Sequence, residues 1–168
     1  MNNEIINLVA NIALALTFIV GLVFGVIQIK NTNRDRKERF TIETLKNFQT
    51  HQIAEMIFRI NNYSIPSTLE EWRKLPDHDQ IMFLQFTQEM ESLGLLVAER
   101  FINIELVDKT LGSFVTASWD KLASVIEDMR EKLPDPFLSE YFQSLAESLR
   151  ERMQSHPRKP FHEFTAKK

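Results

Sequence analysis

Hydrophobic and polar positions divide the chain into two regimes. Positions 5–29 read IINLVANIALALTFIVGLVFGVIQI, an apolar run without a single charged residue. A helix rising about 1.5 Å per residue would carry that run over roughly 37 Å, enough to cross a hydrocarbon core of about 30 Å with some tilt. Beyond it the pattern becomes periodic. Between about positions 33 and 62, Ile42, Leu45, Ile53, Met56 and Ile60 recur on one helical face. The spacing predicts one long helix continuing from the apolar run, interrupted near Asn31, Thr32 and Asn33 if anywhere.

Downstream, turn residues punctuate further helices. Prolines stand at 66, 76, 134, 136, 157 and 160, leaving long intervals that can be continuous helix. Ser67-Thr68-Leu69-Glu70 carries a capping-box signature ahead of Trp72. Asp77 is placed to cap a helix reaching about Ile102, dense in Ile81, Phe83, Leu84, Phe86, Met90, Leu95, Val97 and Phe101. The alternation in positions 102–106 resembles a strand, but a lone strand has no partner, so it reads as a helix junction. Gly112 and Ser113 suggest a stop and a new start, with a helix then running to about Lys132. Asp135 and Pro136 suggest an N-cap and first turn for a last helix to about Met153. The fold class expected is all-α: a single N-terminal transmembrane helix followed by a cytoplasmic helical bundle.

Charge sharpens this division. Among 20 Lys/Arg and 23 Asp/Glu, Glu4 alone precedes Lys30. The leading MNNE lacks the basic n-region of a secretory signal, and the apolar run exceeds the usual 7–15 residues of such signals. Basic residues instead follow the run: Lys30, Arg34, Arg36, Lys37 and Arg39, against Asp35 and Glu38. Lys/Arg excess beside a span marks its cytoplasmic side. The expected layout is a short extracytoplasmic segment at 1–4, the span at 5–29, and a headgroup-facing basic collar at 30–39. A helical domain at 40–154 and a disordered tail at 155–168 follow. The corresponding location is a bacterial cytoplasmic (inner) membrane, N-terminus outside. A net charge of −3 excludes a globally basic nucleic-acid binder, and the absence of cysteine excludes disulfides, thiolate–zinc sites and thiol nucleophiles.

Within the apolar run, stepping by four and three residues joins Asn7, Asn11, Leu14, Phe18, Gly21, Gly25 and Gln28 on one stripe. That period is the seam of packed helices. Glycines let backbones approach, and amides bond across an interface where lipid offers no partner. The stripe therefore predicts a homo-oligomer or a membrane-protein partner. In the following domain, Glu91 and Arg130 both fall on apolar faces, and an unpaired buried charge is costly. They are expected to form a structural ion pair. Positions 70–108 carry nine acidic and three basic residues, suggesting an acidic surface turned away from anionic headgroups. His51, His78, His156 and His162 are too scattered for a zinc site. Phosphate-loop, dinucleotide, hydrolase-elbow and metalloprotease motifs do not occur, so neither a cofactor nor a small-molecule substrate is expected.

Three stretches carry a resemblance: QIMFLQFTQEMESLGLLVAERFINIELV, SWDKLASVIEDMR and LPDPFLSEYFQSLAE, spanning roughly 77–147. Their order is similar to a bacterial family of unknown function with one N-terminal membrane helix and a cytoplasmic helical domain. Glu91, Trp119 and Arg130 match that family's acidic, aromatic and arginine positions. The resemblance implies an anchored all-α protein and transfers no activity. The functional expectation is a non-enzymatic interaction or assembly protein oligomerising through its membrane helix. Two alternatives stand beside it. One is a membrane-perturbing effector, by analogy with phage-defence or prophage components. The other is an enzyme with an unrecognised site near Glu91.

Overall fold

The computed structural model describes residues 2–157, and the all-α expectation holds there: six helices and no strand are found among the described residues. They are α1 (Asn2–Asn47), α2 (His51–Asn62), α3 (Leu69–Trp72), α4 (Asp77–Ala98), α5 (Ile104–Lys132) and α6 (Glu140–Ser155). The chain divides into two units, Met1–Arg39 and Phe40–Lys168.

In the first unit α1 is the whole structure. Its apolar stretch is long enough to cross a membrane, and its side chains lie open on every face. No break occurs at Asn31, Thr32 and Asn33. A helix already nucleated upstream gains one hydrogen bond for each residue it fixes and meets no new nucleation cost, and an Arg34–Glu38 ion pair of 2.8 Å braces the polar turns one step later.

The single helix expected from 33 to 62 is instead two. α1 ends at Asn47, and Thr50 restarts the chain as the N-cap of α2, its Oγ1 accepting from Ile53 N at 3.3 Å. The bend lets Leu45 and Phe48 on one side, and Ile53, Met56 and Ile60 on the other, all reach the core of the second unit. Thr41, fully buried, accepts from Asn103 N at 3.0 Å and so fastens the end of α1 to the α4–α5 junction.

Several start and stop signals act one or more residues from where the pattern puts them. The capping box before Trp72 is built on Thr68 and Glu71: Thr68 Oγ1 accepts from Glu71 N, and Glu71 Oε2 accepts from Ser67 N. α4 begins at Asp77 with no side-chain cap and ends at Ala98, where Arg100 takes a left-handed φ of 61°. Phe101 N and Ile102 N then both donate to Leu96 O, closing the helix end. Asn103 caps α5 through Glu105 N, making the strand-like stretch a junction. α5 passes straight through Gly112 and Ser113, so Gly112 stops nothing. A Cβ there would lie 2.7 Å from Asp108 Oδ1 and 2.7 Å from Met153 Cε; the glycine makes room for packing. Asp135 Oδ1 accepts from Phe137 N within a turn, and α6 starts only at Glu140. α6 runs on through Ser155, inside the expected tail; residues 158–168 of that tail lie outside the described residues.

The core of the second unit is aromatic at its centre. Phe86 lies edge-on to Phe114 and Phe142, Phe142 meets Trp119 at 5.1 Å, and Trp72 tilts against Phe83 at 5.4 Å. Such pairs add about 0.5–1.5 kcal/mol each beyond the area they bury. α4, α5 and α6 supply most of this core, with α2 and α3 closing its edges.

Candidate functional site

The most ordered polar arrangement surrounds the start of α6. A helix begins with backbone N–H groups that lack intrahelical acceptors, and the residue in the N-cap position, Ser139, provides no side-chain cap. It sits left-handed at φ 60°, a conformation that costs a non-glycine residue free energy. The acceptor comes from another helix. Glu91 of α4 takes Tyr141 N on Oε1 at 3.2 Å and Phe142 N on Oε2 at 2.8 Å. A carboxylate there also meets the positive end of the helix dipole.

This corrects the expected ion pair. Arg130 does not meet Glu91; its Nε donates to Leu138 O at 2.8 Å and its Nη1 to Gln143 Oε1 at 2.7 Å. Its guanidinium carbon lies 5.9 Å from the centroid of the Trp119 ring. Both charges do face the interior, but each bonds the turn and first residues of α6 instead of the other, with Arg130 Nη2 left buried without a hydrogen-bond partner among the described residues. Glu91 holds that helix from α4, and Arg130 holds it from α5. Three residues past Glu91, Gly94 lets α4 close on the same place, because a Cβ there would overlap the carbonyl of Tyr141. The arrangement fixes α6 and leaves neither carboxylate oxygen of Glu91 without a donor.

Other polar contacts do similar work, and sequence reasoning missed them. Asp128 accepts from Leu69 N at 2.7 Å and lies 2.8 Å from Lys132, fixing α3 on α5; the Leu69 amide first, then Lys132, holds its carboxyl below the ordinary aspartate value. Lys121 donates to Ile60 O and Asn61 O, meeting the negative end of α2. Arg59 reaches Asp79 at 2.6 Å and Glu55 at 3.4 Å, and Arg150 pairs with Asp120. The acidic excess of positions 70–108 is thus partly spent inside the domain, on Glu71, Asp79, Glu91 and Glu105, the last paired with Lys109. Long-range pairs of this kind leave no periodic mark on a sequence, though Thr68 and Thr50 carried the ordinary capping signal.

On α1 the seven stripe residues all lie along one helix with no second helix beside them in their unit. Leu14 and Phe18 are 69% and 68% exposed, and nothing lies within 4 Å of a Cβ built on Gly21 or Gly25. Thr17 bonds back to Ala13 O at 2.8 Å, whereas among the described residues Asn7, Asn11 and Gln28 make no side-chain hydrogen bond. Gly25 opens a shallow notch bordered by Gln28, Ile29, Thr32, Asn33 and Arg36. In the collar, Lys30, Arg34, Arg36 and Arg39 are exposed and Lys37 is half-buried. Glu38 raises the pKa of Arg34 above its ordinary value. Among the described residues no group of His, Asp and Glu could hold a metal ion.

Comparison with known proteins adds one finding. No curated protein and no solved structure matches the chain. A sequence profile described as a domain of unknown function, DUF4760, matches residues 15–149, from within the apolar stretch to α6, and so takes in Gly21, Gly25, Glu91 and Arg130. The chain belongs to the DUF4760 family.

Proposed function

We propose that the protein is a non-enzymatic assembly module anchored in a bacterial cytoplasmic membrane by α1, with its N-terminus outside and its helical domain in the cytoplasm. Copies associate through the Asn7–Gln28 stripe. The observation that carries this reading is the state of Asn11. Its carboxamide lies within an apolar stretch, makes no hydrogen bond among the described residues, and shares its stripe with two uncovered glycines. In hydrocarbon an amide without a partner is costly, and a second helix can supply one. The charge asymmetry across the span supports the orientation, with Lys30, Arg34, Arg36, Lys37 and Arg39 on the inner side. The engagement of Glu91 with two amides of α6 supports a structural rather than catalytic task for that carboxylate.

Energy transfer between labelled full-length chains in lipid vesicles tests the reading. Replacing Gly21 and Gly25 with leucine is expected to weaken self-association by about tenfold or more, equivalent to 1.4 kcal/mol. Asn11→Leu is expected to weaken it less, since single intramembrane hydrogen bonds contribute about 0.6 kcal/mol on average. Unchanged association in the double variant would remove the stripe from the assembly and leave a different membrane protein as its partner.

A further inference from the structure

Two buried methionines of the second unit border a groove that the fold leaves unfilled. Met56 of α2 is 3% exposed and Met82 of α4 is 7% exposed, and both line a space of about 190 Å³ between these helices. His78, itself exposed, stands on the rim of the same groove. His78 and Met82 are one turn apart on α4, so they rise from one face of that helix. Met56 borders the groove from α2, opposite them. The Arg59–Asp79 pair at 2.6 Å ties the two walls together. The imidazole of His78 makes no hydrogen bond or ion pair among the described residues, so both ring nitrogens keep their capacity for a ligand.

We infer that Met56, Met82 and His78 form a site for one soft monovalent metal ion, Cu(I) under reducing conditions, held by two thioether sulfurs and one imidazole nitrogen. The donor set selects the ion. Thioethers suit Cu(I), whereas carboxylates and water suit the harder divalent ions. To a divalent ion the groove offers only His78 and Glu55, and Glu55 is already shared with Arg59 at 3.4 Å. No group of three His, Asp or Glu exists among the described residues to hold such an ion. A thioether is uncharged and polarizable, so both sulfurs pack in the core while the ion is absent and still serve as ligands when it arrives. The chain contains no cysteine, so no thiolate of its own competes for a soft ion. The site belongs to the second unit and does not rest on association through α1.

Silver(I) is the probe, because it shares the softness of Cu(I) and keeps its oxidation state during a titration. Full-length protein carrying 13C in its six methionine methyl groups is titrated with Ag(I) in detergent micelles and followed by NMR. The signals of Met56 and Met82 are expected to move together and to saturate at one ion per chain. Met82→Leu removes a sulfur while nearly conserving volume, so the core stays filled. The buried methyls of Met90 and Met129 report that each variant is folded. His78→Gln and Met82→Leu are each expected to weaken binding by at least the roughly tenfold that losing even an outer-sphere partner costs a metal site. Met56 and Met82 signals that stay in place at equimolar Ag(I) overturn the inference. So does an unchanged midpoint in folded His78→Gln. Movement of Met153 at the same silver concentration overturns it too, because any thioether of the chain would then do.

Discussion

Gly94 and Gly112 lie where helices of the domain touch, whereas Gly21 and Gly25 face nothing in their own chain. All four are in helices, where glycine is about 1 kcal/mol less favourable than alanine. In the domain that cost is offset by closeness. Gly94 lets α4 meet the backbone of Tyr141, and Gly112 leaves space for Asp108 and Met153. In α1 no such offset exists within the chain. The contrast teaches that a helical glycine is informative once its neighbours are known: two explain the packing of this fold, and two have no neighbour within it.

The largest effect should come from filling the tightest of these contacts. The obstruction at Gly94 is main chain, which cannot rotate away as a side chain can. Gly94→Ala is expected to cost about 3 kcal/mol of overpacking, less about 1 kcal/mol gained in helix propensity. For a domain of this size the net loss corresponds to a melting temperature roughly 10 °C lower. Thermal unfolding followed by circular dichroism measures it. A melting temperature equal to or above that of the parent chain would mean that α4 and α6 are not in this close contact, and the comparison would fail.

A smaller effect is expected at Glu91, which serves the same contact through hydrogen bonds. Glu91→Gln keeps one acceptor oxygen but turns its amide toward a backbone donor and removes the charge facing the helix dipole. The expected cost is about 1–2 kcal/mol. Amide hydrogen exchange at Tyr141 and Phe142 should quicken more than exchange in the middle of α5. If both amides stay as protected as in the parent chain, α6 is capped by something other than this carboxylate.

These residues also mark the limits of reading the sequence alone. Leu45, Ile53, Met56 and Ile60 lie in the core as their period predicts, because burial on one helical face repeats every three or four residues, whereas Ile42 of the same series is exposed. The inward direction of Glu91 and Arg130 was legible for the same reason. Their partners were not. Glu91 bonds residues 50 and 51 positions away, a distance across which helical periodicity carries no information. Gly112 read as a stop because glycine often follows a helix end, and only the place of Met153 beside it shows that tertiary packing has overridden that preference. The stripe on α1 was legible for the opposite reason: it needs nothing from the rest of the fold to be seen.

The smallest effect sharpens the comparison from its other side. Leucine at both Gly21 and Gly25 should leave the thermal unfolding of the domain within about 0.5 kcal/mol of the parent chain, as substitutions away from packed features do. Open space surrounds both positions, and leucine favours helix more than glycine does. The same variant is the one expected to lose self-association in vesicles. The pair of readouts therefore distinguishes two meanings of a glycine. Loss of association with an unchanged domain assigns Gly21 and Gly25 to contacts between chains. A domain that melts several degrees lower would instead mean that these glycines, like Gly94, are needed within the chain, and the contrast drawn between the two pairs would be wrong.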